Sequence, residues 1–473
     1  MLNTNTKKVA FNTIVQIIGK IITTVIAVVM LAYLARYLGV DGYGDYTTIF
    51  AFLGFFAIIA DMGFYTVAVR EMSKEPEKAG NILGNIFSLR ILFALVFLAM
   101  APLVGWLVPV YSTGVKIGIV IGTLSSFFIL LNQMFVSIFQ ANLRMDRLVV
   151  SDILARSVLF GLVLFFINSR LTLEYFILAN VVANFFLCLV SFLMSRKFLI
   201  FNLRFDIKYW KYILREAIPL GVIIVLGLIY FRIDTIMLSV MKGSEAVGIY
   251  GAPYKILEIL ITIPAMFMGS VFPIISQYIK NNDERLKTSF IKSFDFISMI
   301  VFPILVGTFV LAKPIVLLVL GSEFINSILV LQYLIFAVTI IFFGTIMGYF
   351  ITAANLQKKL VWVYLFSVLV NVVGNLFLIP RYSYIGASIA TIFTEGLVCF
   401  LAFFVVYKYL RLLPSLNIFI KSVFSSLVMG GVLCYFFHLN LFLLITIGGA
   451  LYFSVLYLLG GVRKDIVKQL LRQ

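Results

Sequence analysis

The chain has 473 residues, 63% of them hydrophobic and 12% charged, with 37 Lys and Arg against 20 Asp and Glu and a formal net charge of +17. That balance excludes a soluble core with a water-facing surface, and the length suffices for two helical lobes of about 200 residues each. Cys188, Cys399 and Cys434 all fall inside apolar runs and His438 is the single histidine, so neither a disulfide framework nor a histidine-rich metal site is suggested.

About fourteen apolar runs, each long enough to cross a bilayer, fill the chain. They lie near 9–35, 44–69, 82–107, 117–142, 147–168, 173–195, 213–240, 247–276, 290–319, 325–353, 360–380, 383–407, 416–437 and 440–461, with ends uncertain by about two to four residues. The first, after Lys7 and Lys8, is too long and polar-studded for a cleaved signal and is expected to remain as a span. On it Asn12, Gln16, Lys20 and Thr24 recur every four residues and form one polar stripe. Lys20 lies roughly 16 Å into the span without a carboxylate at i±3 or i±4, so it either faces a central cavity, snorkels, or pairs with Asp61 of span two. Arg90 lies about 12 Å into span three, again without a helical partner, and either lines the cavity or packs on a neighbouring carboxylate.

Gln133, Ser137 and Gln140 form an uncharged stripe on span four, suited equally to sugar hydroxyls and to helix–helix hydrogen bonds. Asp152 and Arg156 on span five stand at i,i+4, and Lys255 and Glu258 on span eight at i,i+3, so pairing along one helix is the default for both. Arg156 and Lys255 can still offer a donor to the cavity. The connection around Arg196 to Lys211, RKFLIFNLRFDIKYWKYILRE in context, is basic and aromatic, which suits an interfacial helix on the cytoplasmic leaflet.

Across that linker the chain partly repeats. Gly39-Val-Asp41-Gly-Tyr-Gly44-Asp-Tyr46 matches Gly243-Ser-Glu245-Ala-Val-Gly248-Ile-Tyr250 as G-x-[DE]-x-x-G-x-Y, and Ala141-Asn142-Leu143 is echoed by Ala354-Asn355-Leu356. Six spans separate the copies, so both halves enter the membrane from one side, the parallel-repeat arrangement of transporters that rock around a central site. The expected organisation is a lobe at 1–197, an amphipathic linker at 198–212, a second lobe at 213–411, and trailing helices with a tail at 412–473. Placing the N-terminus in the cytoplasm puts about 26 Lys and Arg in cytoplasmic segments against about 6 outside, so both termini are expected inside. The positive charge is then a topology signal plus attraction to membrane lipid headgroups, with no nucleic acid partner expected.

The stretch LARYLGVDGYGDYTTIF with ADMGF and AVREMS, and YFRIDTIMLS with VGIYGAPYKILE, resemble the polysaccharide transporters of the multidrug, oligosaccharidyl-lipid and polysaccharide exporter superfamily. The resemblance implies an all-α polytopic protein of about fourteen helices, two pseudo-symmetric six-helix lobes forming a V plus two C-terminal helices, in the cytoplasmic membrane. It also implies a flippase for a polyprenyl-pyrophosphate-linked oligosaccharide, and an arginine at the place of Arg90 is similar to one on that family's third helix. Lysine and arginine answer a diphosphate, while aromatic and amide side chains answer sugars. The candidate substrate-binding set is therefore Lys20, Arg90, Arg156, Lys255, Asn12, Gln16, Gln133 and Gln140.

A second constellation, Asp234 on span seven, Asn371 and Asn375 on span eleven, and Thr391, Thr394 and Glu395 on span twelve, supplies hard oxygen ligands at compatible depths. By resemblance, some flippases of the superfamily hold sodium among these three helices; Asn375 stands where a second acid is expected. Coupling to Na+ or H+, or structural hydrogen bonding alone, are the three readings of this set. No other cofactor is expected, the chain having no G-x-x-x-x-G-K-[ST] loop and so no ATPase of its own. Two other functions compete: a cation-coupled drug or metabolite antiporter of the same superfamily, which favours a carboxylate-lined cavity, and a membrane polymerase or glycosyltransferase on lipid-linked sugars, which needs larger outer loops. A monomer is expected, possible partners being polysaccharide-assembly enzymes.

Overall fold

The computed structural model describes residues 4–281 and 283–461, with side chains from Val15 onward apart from those of residues 223 and 228. All regular structure among them is helical. In the N-terminal part the helices are α1 (Thr4–Asp61), α2 (Phe64–Lys74), α3 (Ala79–Leu107), α4 (Thr113–Ala141), α5 (Met145–Asn168), α6 (Leu173–Ser195), α7 (Ile207–Lys242) and α8 (Ser244–Leu260). There follow α9 (Thr262–Lys280), α10 (Arg285–Val310), α11 (Ala312–Val319), α12 (Ser327–Ala353), α13 (Gln357–Leu410), α14 (Asn417–Tyr435) and α15 (Leu441–Leu458).

Among the described residues, eleven helical segments are long and apolar enough to cross a membrane, and the bent α7 makes twelve. Two of the eleven, Val15–Lys74 and Gln357–Leu410, run to 60 and 54 residues, about twice what a bilayer needs, and each contains a non-helical residue, Gly39 or Ser383. Contacts show that the chain reverses at both. Around Ser383, Asn371 bonds Thr394, the Gly374 position faces Ala390, and Gly386 lies against the Leu378 carbonyl, the pairing of an antiparallel hairpin. Around Gly39, the first arm follows α5 (Gly19 on Val149, Tyr33 on Phe160) while the second follows α4 (Gly118 on Ile49, Gly122 on Leu53). α4 in turn runs with α6, through Ser125–Asn184, Phe135–Phe192 and Phe139–Phe198, opposite to α5. Counting each hairpin as two gives the fourteen spans expected from hydropathy.

The chain divides into two compact units, Met1–Gly251 and Ala252–Gln473. In the first, α7 lies antiparallel to the second arm of α1 and to α2, from Arg70–Glu216 through Met62–Gly221 to Gly44–Ser244, so it groups with the N-terminal helices. In the second, Phe290, Phe294 and Phe302 of α10 interleave with Phe350 and Phe343 of α12 and with Phe419 of α14, and the Tyr452 hydroxyl of α15 donates to the Met299 carbonyl at 2.8 Å.

The repeated octapeptides take the same shape and meet each other. Gly39 has φ 67° and ψ −175°, Gly243 has φ 83° and ψ −171°, a region closed to most side chains. A Cβ on Gly44 would overlap the Ser244 carbonyl, and one on Gly248 would overlap the Val40 carbonyl, positions that correspond under the repeat. The weaker echo ends two helices with the same six-residue backbone bond, Arg144 N to Phe139 O at 2.8 Å and Leu356 N to Ile351 O at 3.0 Å. Its left-handed residues are Leu143 and Asn355, one place off the register of the sequence match.

The linker departs from expectation. Residues 199–206 form an extended strap, with helix only from Ile207. The strap is held on the start of α3: Arg204 N donates to the Gly84 carbonyl (3.3 Å) and to Ser88 Oγ (3.1 Å), Asp206 N to Asn85 Oδ1 (3.0 Å), and Trp210 Nε1 to the Asn85 carbonyl (3.1 Å). Gly84 lets the Asn202 carbonyl approach where a Cβ would stand, and Asp206 caps α7 by accepting from Lys208 N and Tyr209 N. Satisfying these backbone groups on α3 outweighs the amphipathic pattern, which by itself suits a helix.

Candidate functional site

Charged and amide residues inside the spans sort into three groups. The first lies on α1 and α5, which run in parallel. Gly19 packs on Val149, so the next residue, Lys20, stands beside the start of α5, with Asp152 and Arg156 about 4.5 and 10 Å higher along it. Lys20 and Gln16 are exposed, and among the described residues the Lys20 ammonium has no ion-pair partner. Arg156 Nε donates to both oxygens of Asp152 at 3.1 Å, the intrahelical pair expected from their spacing, and remains 40% exposed. Asn12, the first member of the stripe, falls outside the described side chains.

The second group is enclosed by α1, α2, α3 and α4. Arg90 is wholly buried, its Nη2 lying 2.5 Å from Asp61 Oδ1 and donating also to Gln133 Oε1. Asp61 is thus the partner of Arg90, and one further turn along, the Tyr65 hydroxyl donates to Gln140 Oε1. Both glutamines of the α4 stripe are engaged between helices, and Ser137 donates back to the Met134 carbonyl at 2.6 Å. Arg90 therefore presents no exposed face in this conformation. Asp61 is taken from Lys20, the other partner open to it in the sequence, and Arg90 packs on a neighbouring carboxylate. The signal for the pair was that each is an isolated charge deep in adjacent spans, and one enclosed charge requires another.

The third group belongs to the second unit. Asn375 Nδ2 donates to Asn371 Oδ1 at 3.0 Å, Asn371 Nδ2 to Thr394 Oγ1 at 3.4 Å, and Thr391 and Thr394 donate to the Ala387 and Ala390 carbonyls. Glu395 is buried beside them, with Tyr364 and Cys399 in electrostatic reach, two neighbours the sequence did not indicate. Asp234 lies in the first unit, 2% exposed, accepting from Tyr250 Oη at 3.2 Å. Lys255 of the second unit donates to Glu258 at 2.7 Å. Among the described residues no cluster of His, Cys, Asp or Glu could hold a metal by itself.

Helical hairpins long and apolar enough to cross a bilayer, carrying a few buried or membrane-level charges, define a multi-pass membrane protein. The fold is that of the superfamily suggested by the motifs: the chain superimposes on the structure titled lipid II flippase MurJ, inward closed conformation, with TM-score 0.78 at 15% identity, covering 94% of this chain and 98% of that one. A multidrug resistance MATE family transporter in its inward-facing conformation follows at TM-score 0.65 and 14% identity, over 84% and 99%. Residues 9–279 match the family described as polysaccharide biosynthesis protein, and the chain belongs to it; residues 219–377 also match the MatE family. A Haloferax volcanii protein described as a probable low-salt glycan biosynthesis flippase, Agl15, is 24% identical over 93% of this chain and 94% of its own length. A Shigella flexneri protein provisionally described as an O-antigen transporter is 23% identical over 80% and 93%. Both relatives are thus described as carriers, one a flippase and the other a transporter.

Proposed function

We propose that the chain is a flippase that carries a polyprenyl-pyrophosphate-linked oligosaccharide, a precursor of surface polysaccharide or glycan, across the cytoplasmic membrane by alternating access of its two halves. The observation that carries this reading is Lys20, an exposed ammonium roughly 16 Å along a spanning helix and without an ion-pair partner among the described residues. A cation at that depth costs about 2.5–3.5 kcal/mol or more unless protein, water or an anion compensates it. A lipid diphosphate is an anion that must pass this depth, and Arg156, one helix away, adds a second donor. The relatives' descriptions support the glycan-lipid class. Both termini cytoplasmic, a monomeric carrier, and delivery from and to polysaccharide-assembly enzymes complete the reading.

Lys20→Ala is expected to reduce flipping of a lipid-linked oligosaccharide by about tenfold or more, the worth of a charge-assisted hydrogen bond, with protein abundance unchanged. Lys20→Arg should keep part of the activity, since the charge survives. Full transport by a stable Lys20→Ala protein would make Lys20 structural.

The cluster of Asn371, Asn375, Thr394 and Glu395, all in the second unit, is our proposed ion-coupling site for Na+ or H+. The support is energetic: one elementary charge crossing 100 mV supplies about 2.3 kcal/mol, and a buried carboxylate among amide and hydroxyl oxygens can bind a cation in one state and release it in the other.

A further inference from the structure

Span two is broken at the level of the Asp61–Arg90 pair. α1 stops at Asp61, Met62 and Gly63 both take left-handed conformations with φ of 44° and 79°, and α2 starts at Phe64. Consecutive left-handed residues persist only where the surroundings fix them. Here α7 lies over the break, with Gly221 so close that a Cβ on it would come 2.9 Å from the Met62 carbonyl oxygen. Asp61 is held at this end of a half-helix, its side chain 14% exposed, while Arg90 behind it is 0% exposed. The carboxylate is the more exposed member of the pair.

Arg90 is also under-used. Nη2 serves Asp61 and Gln133, but among the described residues Nε and Nη1 have no hydrogen-bond partner. A guanidinium has five donors in a planar fork that matches carboxylate or phosphate oxygens two at a time. Neutralising Asp61 would leave a buried, incompletely hydrogen-bonded cation, which requires another anion. The other groups facing Asp61 cannot supply one: α2 brings Tyr65, α4 brings Gln133 through Arg90, and α7 brings Ala217, Leu220 and Gly221 at the break. Arg70, Glu71 and Glu216 form their own network two turns further along α2.

We infer that Asp61 is an exchangeable counter-ion: on taking up a proton it gives up Arg90, and a diphosphate oxygen of the substrate takes its place on the guanidinium. This rests on the flippase reading and adds to it a proton-linked step at the substrate's headgroup, in the first unit and independent of Glu395. The step moves one proton onto a carboxylate oxygen and breaks no covalent bond. Binding of a diphosphate is then tighter at lower pH, by up to tenfold per unit while Asp61 is ionised, because one proton is bound with each ligand.

The test is binding of farnesyl pyrophosphate to the full chain in phosphatidylcholine nanodiscs between pH 6 and pH 8, with inorganic pyrophosphate as competitor to separate headgroup from tail. The diphosphate itself titrates, so the reading is the difference between variants on the same probe. Asp61→Asn, or Asp61→Ser if the first fails to fold, should bind at pH 8 more tightly than the parent and with the steeper part of the pH dependence removed. Asp61→Glu should keep the parent slope. A folded Asp61→Asn protein with the parent's slope, or with weaker binding at pH 8, overturns the exchange and leaves the flippase reading standing. A parent protein that binds no polyprenyl pyrophosphate at either pH removes the substrate reading and the exchange with it.

Discussion

Gly44 and Gly248 each set a bare Cα against a carbonyl of the other repeat, Ser244 and Val40, so the two copies of one octapeptide cross at backbone distance. Replacing either by valine forces displacement of backbone instead of a flexible side chain, and overpacking of this kind costs about 1–3 kcal/mol. Gly248→Val is therefore expected to lower the thermal midpoint of the purified protein by several degrees, whereas Gly54→Ala, at a position with nothing within 4 Å of its Cβ, should leave it within error. Equal midpoints would show that the crossing is loose. Glu395→Gln should keep downhill flipping but lose its response to a sodium or pH gradient; an unchanged gradient response would assign Glu395 to packing. Residue identity carried much of this. Repeated glycines at the same offsets forecast a shared backbone shape, since φ values of 67° and 83° admit little else. Arg90 and Asp61 were legible only as two isolated deep charges in adjacent spans, because opposite charges 29 places apart meet only once helix packing is known.

At the scale of elements, the strap at 199–206 explains why α7 groups with the N-terminal unit. Asn85 holds it twice, through its side chain to Asp206 N and through its carbonyl to the Trp210 indole. Asn85→Ala removes one acceptor for the N–H of the exposed Asp206, a loss of about 0.5–1.5 kcal/mol. Limited proteolysis should cut the variant between Leu199 and Asp206 faster than the parent; identical cleavage would mean the strap is held by its aromatic contacts, Phe201 on Phe87 among them. The exposed Ile200, Leu203, Phe205 and Ile207, interspersed with Arg204 and Lys208, still suit a lipid surface, as composition suggested. Composition could not distinguish strap from helix, since both expose this mixture and the decision lies in carbonyls and amides of α3. Span number was legible because each run meets the bilayer's length requirement. The reversals at Gly39 and Ser383 were legible too: the spans expected at 9–35 and 44–69, and at 360–380 and 383–407, part where Arg36, Asp41 and Asp45, or Pro380 and Arg381, interrupt the apolar run.

For the whole molecule, the Lys and Arg asymmetry sets the expected orientation. Single cysteines at Ser112 and Lys242 should label from outside intact cells, and those at Lys78 and Lys287 only after permeabilisation. Reversed labelling would overturn the expected orientation and place both termini outside. The likeness to MurJ and MATE structures fixes architecture but not cargo, which at 14–15% identity stays with the site.

On the proposed function, a polar, anionic lipid headgroup crosses the membrane through this chain. Purified protein reconstituted into liposomes with a fluorescent polyprenyl-pyrophosphate oligosaccharide tests it most directly, read as the fraction of label that becomes accessible to an impermeant quencher or glycosidase. Transbilayer movement should scale with protein, fall about tenfold or more with Lys20→Ala, and be lost for the same oligosaccharide on an uncharged polyprenol. Equal movement of the charged and uncharged lipids, or none above protein-free liposomes, would contradict it.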